Sequence, residues 1–187
     1  MGNVINILSR FFKPDDFETI LNPHLSKLYR VAFRLTRTTE DAEDLVQDVL
    51  VKLYPKKDIL RDLEKPGPWL VKVLYRTFID QRRREARSPL FLVRMESNDE
   101  SPSVLESIVT DENNPEKLSE NSQIRDKLLQ AIQSLNQDQQ HLCILHDMEG
   151  YTLNELEEIL ETPIGTLKSR LHRARANLRI FLQQETF

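Results

Sequence analysis

Apolar residues in the first half of the chain recur with helical spacing, and prolines interrupt the pattern. After Pro23 the apolar residues fall at i, i+3 and i+4: Leu25, Leu28, Tyr29, Ala32 and Leu35. Thr38 or Thr39 can cap a second helix, which ends at Pro55. A charged loop from Lys56 to Lys65 then leads to a third helix, which begins near Trp69. The spacing predicts a small helical domain in this half.

The region from Ser88 to about Asn121 loses this periodicity and accumulates Ser, Asn, Asp, Glu and three prolines, which predicts a linker. Beyond it, Asn136 is expected to open a helix that Gly150 stops. Thr152 and Glu155 have the spacing of a capping box. Thr162 and Pro163 are expected to cap and begin the last helix, because proline at the first helical position loses no needed donor.

Charge is distributed unevenly along the chain, although the net charge of −4 is small. Residues 1–95 carry a net charge of +5, residues 96–161 carry −13 and residues 162–187 carry +4. Nucleic-acid binding depends on the local face that meets the phosphates, so the low overall net charge does not exclude it. With 30% charged residues and no long apolar run, a membrane-spanning protein is not expected.

The compartment can be predicted from the start of the chain and its cysteine content. Residues 1–9 lack the basic start of a secretion signal. The single cysteine, Cys143, cannot form an internal disulfide, which agrees with a reducing environment. We therefore expect a cytoplasmic protein.

The last predicted helix has two unlike faces. An apolar stripe at 100° per residue comprises Ile164, Leu167, Leu171, Ala174, Leu178 and Phe181. The other face is basic, with no acid between Glu161 and Glu185, and a solvated basic face is the plainer interpretation of it. A short capped helix, a turn and a longer basic helix are, however, the layout of a helix-turn-helix DNA reader. We assign base-edge roles to Thr166, Ser169, His172 and Arg173, and phosphate roles to Lys168, Arg170 and Arg175.

Three segments resemble the extracytoplasmic-function sigma factors of bacterial RNA polymerase. Residues 150–178, from Gly-Tyr-Thr-Leu-Asn-Glu-Leu to Arg-Ala-Arg-Ala-Asn-Leu, are similar to the promoter-reading C-terminal domain of that family. Residues 41–54 resemble its polymerase-binding helix, and residues 69–84 resemble its −10-reading helix. The resemblance covers about residues 22–87 and 118–183. It implies that the N-terminal domain binds core polymerase and opens the −10 element, while the C-terminal domain holds the −35 element.

The resemblance also implies residue roles in the N-terminal half. Asp44, Gln47 and Asp48 would face the polymerase, and their i, i+3, i+4 spacing makes one polar patch that an ordinary solvated helix face also explains. The loop from Ile59 to Pro68 matches the segment that captures an unstacked base, where Arg61 and Lys65 are the available cations. The cations expected to follow the −10 phosphates along the next helix are Lys72, Arg76, Arg82, Arg83, Arg84 and Arg87. Trp69 is expected in the core rather than as a stacking platform.

Three positions depart from the family pattern. Arg76 stands where the family commonly has Asn, at a position associated with the −10 bases, so the resemblance does not give the base preference there. Glu157 replaces a small residue, and its carboxylate must meet solvent or a cation such as Arg170 or Arg173. Glu161 replaces the usual Gly of the turn. The linker is acidic, with eight acids against Lys117 in residues 96–120. The resemblance implies that it threads the polymerase channel that RNA later occupies, a path that suits a polyanion, while a soluble spacer explains the same composition.

Other chemistry finds less support. His141, Cys143 and His146 invite a metal site, but the two histidines lie about 140° apart on a helix, so a buried cysteine with incidental histidines is favoured. The acids Asp41, Glu43, Asp44 and Asp48 could hold Mg²⁺ for a rival enzymatic function, yet no phosphate loop or nucleophile accompanies them. We expect no catalytic site, no metal and no cofactor. An ordinary helix-turn-helix regulator, acting without being a polymerase subunit, remains the alternative.

The sequence therefore predicts an all-α protein of two small helical domains joined by a flexible acidic linker. The expected limits are 14–87 for the N-terminal domain, 88–120 for the linker and 121–187 for the C-terminal helix-turn-helix domain. The expected function is that of a sigma factor that joins core RNA polymerase, recognises the −10 and −35 promoter elements, melts the −10 region and directs initiation. Its expected partners are core RNA polymerase, promoter DNA and an anti-sigma factor.

Overall fold

The computed structural model describes residues 16–87 and 130–184, and every regular element in those two ranges is helical. The chain divides between Pro102 and Ser103 into two compact units. The all-α prediction is thus confirmed. The predicted linker, residues 88–120, lies outside the described residues, and the predicted domain limits stay predictions.

Residues 16–87 of the first unit form four helices, with a short 3-10 turn at Tyr54–Lys56. They are α1 (Asp16–Thr36), α2 (Thr39–Leu53), α3 (Lys57–Asp62) and α4 (Pro66–Arg87). Helix α1 packs against the other three, and α2 also packs against α4. Leucines from all four helices are fully buried between them and form the core: Leu21, Leu28, Leu45, Leu53, Leu60, Leu70 and Leu74.

Helix α1 runs through Pro23, whereas the sequence predicted a helix only after it. A proline inside a helix removes one i to i−4 hydrogen bond, here the bond to the carbonyl of Thr19. Both residues are exposed, so water can reach that carbonyl. Apolar residues before the proline, Phe17 and Leu21, are buried and hold the first turns of the helix on the core. Tertiary packing therefore outweighs the local cost of the proline.

The prediction of a charged loop from Lys56 to Lys65 was partly wrong, because the centre of this segment is helix α3. Leu60 is only 1% exposed and fixes this short helix on the core. The Pro66-Gly67-Pro68 segment forms the first turn of α4 instead of preceding it. Prolines fit there because the first amides of a helix have no intrahelical partner.

The second unit contains a helix that ends at residue 133, then α5 (Gln137–Cys143), which continues into a π turn (Ile144–Met148). Helices α6 (Leu153–Leu160) and α7 (Ile164–Gln184) follow. Three predicted end signals are confirmed. The Asn136 side chain accepts a hydrogen bond from the amide of Gln139, Gly150 adopts a φ of 75°, and Thr152 and Glu155 form a capping box.

The predicted apolar stripe of α7 is buried only in its first half. Leu167, Leu171 and Ala174 lie in the core, where α7 packs on α5 and α6. Leu178 and Phe181 are half-buried, and Ile180 is exposed. Among the described residues, the end of the helix thus extends beyond the helices that cover its first half. The region that the sequence assigns to DNA reading is the well-packed half.

Candidate nucleic-acid and protein interfaces

The N-terminus of α7 is fixed by a carboxylate from the preceding helix. The backbone N–H of Ile164 donates to Glu157 Oε1 at 3.1 Å. Glu157 is solvent-exposed, as the sequence predicts, and its contact with Ile164 is additional to that prediction. The predicted Thr162 cap is corrected, because the Thr162 hydroxyl donates back to the Leu160 carbonyl at 3.0 Å. Glu157 therefore sets where α7 begins, and a carboxylate at this end also suits the helix dipole.

The turn between α6 and α7 depends on a left-handed residue. Glu161 has φ 51° and ψ 42°, a conformation that glycine adopts without steric cost. Its N–H donates to the Glu157 carbonyl, which also accepts from the Thr162 N–H at 3.3 Å. The carboxylate and the carbonyl of Glu157 thus hold both sides of the turn. This chain therefore makes the turn with a residue held in a strained backbone conformation.

The outward face of α7 presents the residues assigned to base edges. Ser169, His172 and Arg173 are exposed, and Thr166 is half-buried. The Ser169 hydroxyl donates to the Thr166 carbonyl at 2.9 Å, and Arg173 Nε donates to the Ser169 carbonyl at 3.4 Å. These contacts lay the Arg173 side chain along the helix surface. The structure thus brings the four together as one solvent-facing strip. The other side of the helix is packed in the core through Leu167, Leu171 and Ala174.

The residues assigned to phosphates divide into two kinds. Lys168 is exposed and makes no ion pair within the described residues. Arg170 pairs with Asp138 at 3.0 Å, and Arg175 pairs with Asp147 of the π turn. The hydrogen bond that the Arg175 guanidinium donates to Asp147 raises the pKa of Arg175. Both arginines therefore link α7 to α5 and the π turn that continues it. The sequence analysis missed this role because the paired residues are 32 and 28 positions apart.

Helix α4 carries a cationic stripe opposite its buried side. Lys72, Arg76, Arg83 and Arg87 recur at i, i+4, i+11 and i+15, so they share an arc of about 60° over roughly 22 Å of helix. The three arginines are exposed and Lys72 is half-buried. The opposite side is buried and includes Leu70, Leu74 and Phe78. The remaining −10 candidates are also exposed: Arg61, Lys65, Arg82 and Arg84.

Two features of the first unit were not expected. Trp69 is half-buried, so it belongs neither wholly to the core nor to the surface. Arg37 adopts a left-handed φ of 71° in the turn between α1 and α2. Burial and the charge of Arg82 both lower the pKa of Arg37, so two cations lie within electrostatic reach of each other. The positive φ cannot be foreseen from an arginine in the sequence, since glycine or asparagine usually marks such a turn.

The face of α2 assigned to the polymerase is solvent-exposed. Asp44, Gln47 and Asp48 all point away from the core. Asp48 accepts a hydrogen bond from Gln81 Nε2 of α4 at 2.9 Å. Val51, which is 62% exposed, continues the same face one turn further. Sequence reasoning did not single out Val51, although the signal was present: Val51 follows Asp44 by seven residues and lies opposite the apolar stripe of Leu45 and Val49.

The metal interpretation gains no support from the geometry. His141 and Cys143 are buried, while the half-buried His146 contacts the Tyr151 carbonyl through Nδ1 at 2.7 Å. No cluster of metal-ligating side chains occurs in the described ranges. Burial and the negative charge of Asp147 raise the pKa of the Cys143 thiol to about 11. Within the same ranges, no helix is long and apolar enough to cross a bilayer.

Comparison with known proteins finds two family models along the chain. Residues 20–88 match sigma-70 region 2, and residues 125–178 match sigma-70 region 4. Region 2 thus includes α2 and α4, and region 4 includes α6 and most of α7.

Individual relatives agree with these models. The chain is 30% identical to the ECF RNA polymerase sigma-E factor of Escherichia coli over 139 residues, which are 72% of the chain and 70% of that protein. It is 27% identical to SigW of Bacillus subtilis, covering 88% of each. It is 28% identical to SigE of Mycolicibacterium smegmatis over 91% of the chain, but it spans only 63% of that relative.

A solved structure shares the fold. The sigma factor RpoE from Bartonella quintana, crystallised in complex with the anti-sigma factor NepR, matches with a TM-score of 0.65 and 27% identity. The match covers 90% of this chain and 97% of that one.

Proposed function

The chain belongs to the extracytoplasmic-function sigma factors of RNA polymerase, and we propose that it binds core polymerase, recognises the −10 and −35 promoter elements and directs initiation. The observation that carries this proposal is the pair of exposed cationic helices, α4 in the region 2 match and α7 in the region 4 match. Catalysis belongs to the polymerase, so the chain acts as a regulatory subunit and not as an enzyme. Its place of action is then the cytoplasm, with the polymerase.

Helix α7 is the proposed −35 reader. Its outward strip offers a hydroxyl, an imidazole and a guanidinium, which are groups that read base edges in the major groove. Thr166, Ser169, His172 and Arg173 make up this strip. Lys168 contacts phosphate as a point charge. Arg170 and Arg175 each use part of their five donors on an aspartate, and they reach phosphates with those that remain.

Helix α4 and the segment before it are the proposed −10 surface. The stripe of Lys72, Arg76, Arg83 and Arg87 lies along the outward side of the helix and follows the phosphates of the separated strand. Arg82 and Arg84 flank this stripe. Arg61 and Lys65 stand before α4, where they hold the backbone beside an unstacked base.

The exposed face of α2 is the proposed contact with core polymerase. Asp44, Gln47 and Asp48 provide two carboxylates and an amide without burying an unpaired charge. Such polar contacts fix register and steer association. An anti-sigma factor, such as the NepR that binds the similar RpoE, would act by covering these surfaces.

The test is reconstitution with purified core polymerase and a promoter fragment. A sigma factor binds core and initiates at the promoter, whereas an ordinary helix-turn-helix regulator binds duplex DNA without core. Asp48→Arg should impair core binding and leave the circular dichroism unchanged, with Asp58→Arg, at an exposed aspartate of α3 outside the patch, as the matched control. Loss of secondary structure in Asp48→Arg would instead indicate misfolding.

Arg173→Ala tests the −35 assignment in the reconstituted holoenzyme. We expect binding to weaken by about 1 to 3 kcal/mol and the preference at one −35 position to relax. Asn177→Ala, one turn further along α7 and also exposed, is the matched control. Unchanged affinity and preference in Arg173→Ala would remove this residue from the reading strip.

A further inference from the structure

A cationic cleft lies along one flank of α7, between that helix and the π turn. Its volume is about 390 Å³, and its floor includes the buried Leu171. No carboxylate is among the described residues that line it. Five of its lining residues carry a basic side chain: His146, Lys168, His172, Arg175 and Arg179.

Four of these basic residues form a row on α7. Lys168, His172, Arg175 and Arg179 recur at i, i+4, i+7 and i+11, so they share a narrow flank of the helix. The row is about 16 Å long, several times the 3.4 Å axial spacing of phosphates on one DNA strand. Like charges four residues apart, such as Arg175 and Arg179, destabilise a helix. An anion in the cleft removes that repulsion.

Two side chains are held in place at the wall of the cleft. His146 Nδ1 lies 2.7 Å from the Tyr151 carbonyl, which can only accept, so this nitrogen carries a proton and the ring is fixed. Asp147 holds the guanidinium of Arg175, whose side chain is still 55% exposed. Two of the five basic side chains are thus held in place before any ligand arrives, which lowers the entropic cost of binding.

We propose that this cleft seats phosphodiester groups of one DNA strand beside the groove that α7 reads, with Arg179 and His146 as contacts additional to the predicted −35 set. The inference rests on the proposed function, because the cleft adjoins the reading strip through Lys168 and His172. Phosphate is favoured over an acidic protein segment, since the row of donors continues the strip that faces DNA. Half or more of protein–DNA hydrogen bonds go to phosphate and sugar, and they fix the position of the protein on the duplex. A phosphate-binding cleft beside the reading strip would serve this purpose.

The first test is the salt dependence of promoter binding by holoenzyme carrying Arg179→Gln. Removing one phosphate contact lowers the slope of log K against log salt by about 0.9 and weakens all −35 sequences by the same factor, roughly 3- to 10-fold. Arg179→Lys keeps the charge and should keep the slope. If Arg179→Gln leaves both slope and affinity unchanged, the cleft holds no phosphate. If wild-type holoenzyme shows no dependence on the −35 sequence, the proposed function itself fails.

The second test uses the four histidines of the chain as reporters. Duplex DNA added to the full chain at low salt should shift the ring NMR signals of His146 and His172 and leave those of His24 and the buried His141 in place. A shift of His172 without one of His146 would overturn the cleft while preserving the reading strip. A shift of His146 with polyglutamate but not with duplex would assign the cleft to an acidic protein.

Discussion

Glu157 and Ile164 connect the two helices of the helix-turn-helix pair, because the carboxylate of the first accepts the leading amide of the second at 3.1 Å. The bond spans seven residues and bridges the whole turn. It gives the start of α7 a charged acceptor where the helix dipole is positive. The angle at which α7 leaves the turn therefore depends on a side chain of α6.

Replacing this acceptor should destabilise the second unit. We expect Glu157→Ala to lower the free energy of unfolding by about 1 to 2 kcal/mol, the range found for lost N-terminal caps. Glu157→Gln keeps an acceptor and should lose less than half of that. Urea unfolding of the full chain, followed by hydrogen exchange at amides of α6 and α7, measures the effect. Glu158→Ala removes a neighbouring exposed carboxylate and should change stability by less than 0.5 kcal/mol. Equal effects of Glu157→Ala and Glu158→Ala would contradict the capping role.

A second prediction concerns the strained residue in the same turn. Because Glu161 holds a left-handed φ of 51°, Glu161→Gly should stabilise the chain by about 0.5 to 1 kcal/mol. Glu161→Ala is the control, since it removes the carboxylate but keeps the strained backbone. Thermal unfolding of the three proteins separates the two contributions. If the glycine variant is no more stable than the alanine variant, the turn stores no strain.

A third prediction concerns the buried thiol. Cys143 is 2% exposed and its pKa is raised to about 11, chiefly by burial. In the unfolded chain a cysteine titrates near 8.5. The protonated thiol therefore contributes stability that is fully present below about pH 8.5 and is lost as the pH rises towards 11.

Thiol labelling at pH 8 measures whether burial protects the Cys143 thiol from reagents in solution. A disulfide reagent should label Cys143 only as fast as the second unit opens, and urea should accelerate the labelling in parallel with unfolding. A Cys143→Ala variant shows the background. Rapid labelling of native protein, at the rate of a free thiol, would mean that the cysteine is accessible.

The features that the sequence predicted correctly are those set by neighbouring residues. The caps at Asn136 and Thr152 and the turn at Gly150 involve residues within four positions of each other, so local chemistry decides them. The apolar spacing of α2 likewise puts Ala42, Leu45, Val46, Val49 and Leu53 on one face, and all five are buried, together with Leu50 beside them. These signals survive folding because the tertiary structure agrees with them.

The features that the sequence missed depend on contacts between distant positions. The continuation of α1 through Pro23 follows from burial of Phe17 and Leu21 against the core. The pairing of Arg170 with Asp138 spans 32 positions, so no local pattern announces it. Their side chains can be assigned to a surface from the sequence, but not to a partner.

That pairing leads to a fourth prediction, which separates two roles for Arg170. The side chains of Arg170 and Asp138 are 34% and 61% exposed, and pairs this open typically contribute 1 kcal/mol or less. Asp138→Asn should therefore leave stability nearly unchanged. It removes a negative charge beside the path of the DNA and frees the guanidinium, so holoenzyme should bind a −35 duplex about two- to fivefold more tightly, with a steeper salt dependence.

The matched control is Asp138→Asn combined with Arg170→Gln. If Arg170 contacts phosphate once it is released, the double variant loses the gain and its salt slope falls below that of Asp138→Asn by about 0.9. If Arg170 only braces α7, Asp138→Asn leaves the slope where it was and weakens binding by loosening the helix. Fluorescence anisotropy of labelled duplex at four salt concentrations distinguishes the two outcomes, because a brace acts on affinity alone while a phosphate contact also releases a counterion.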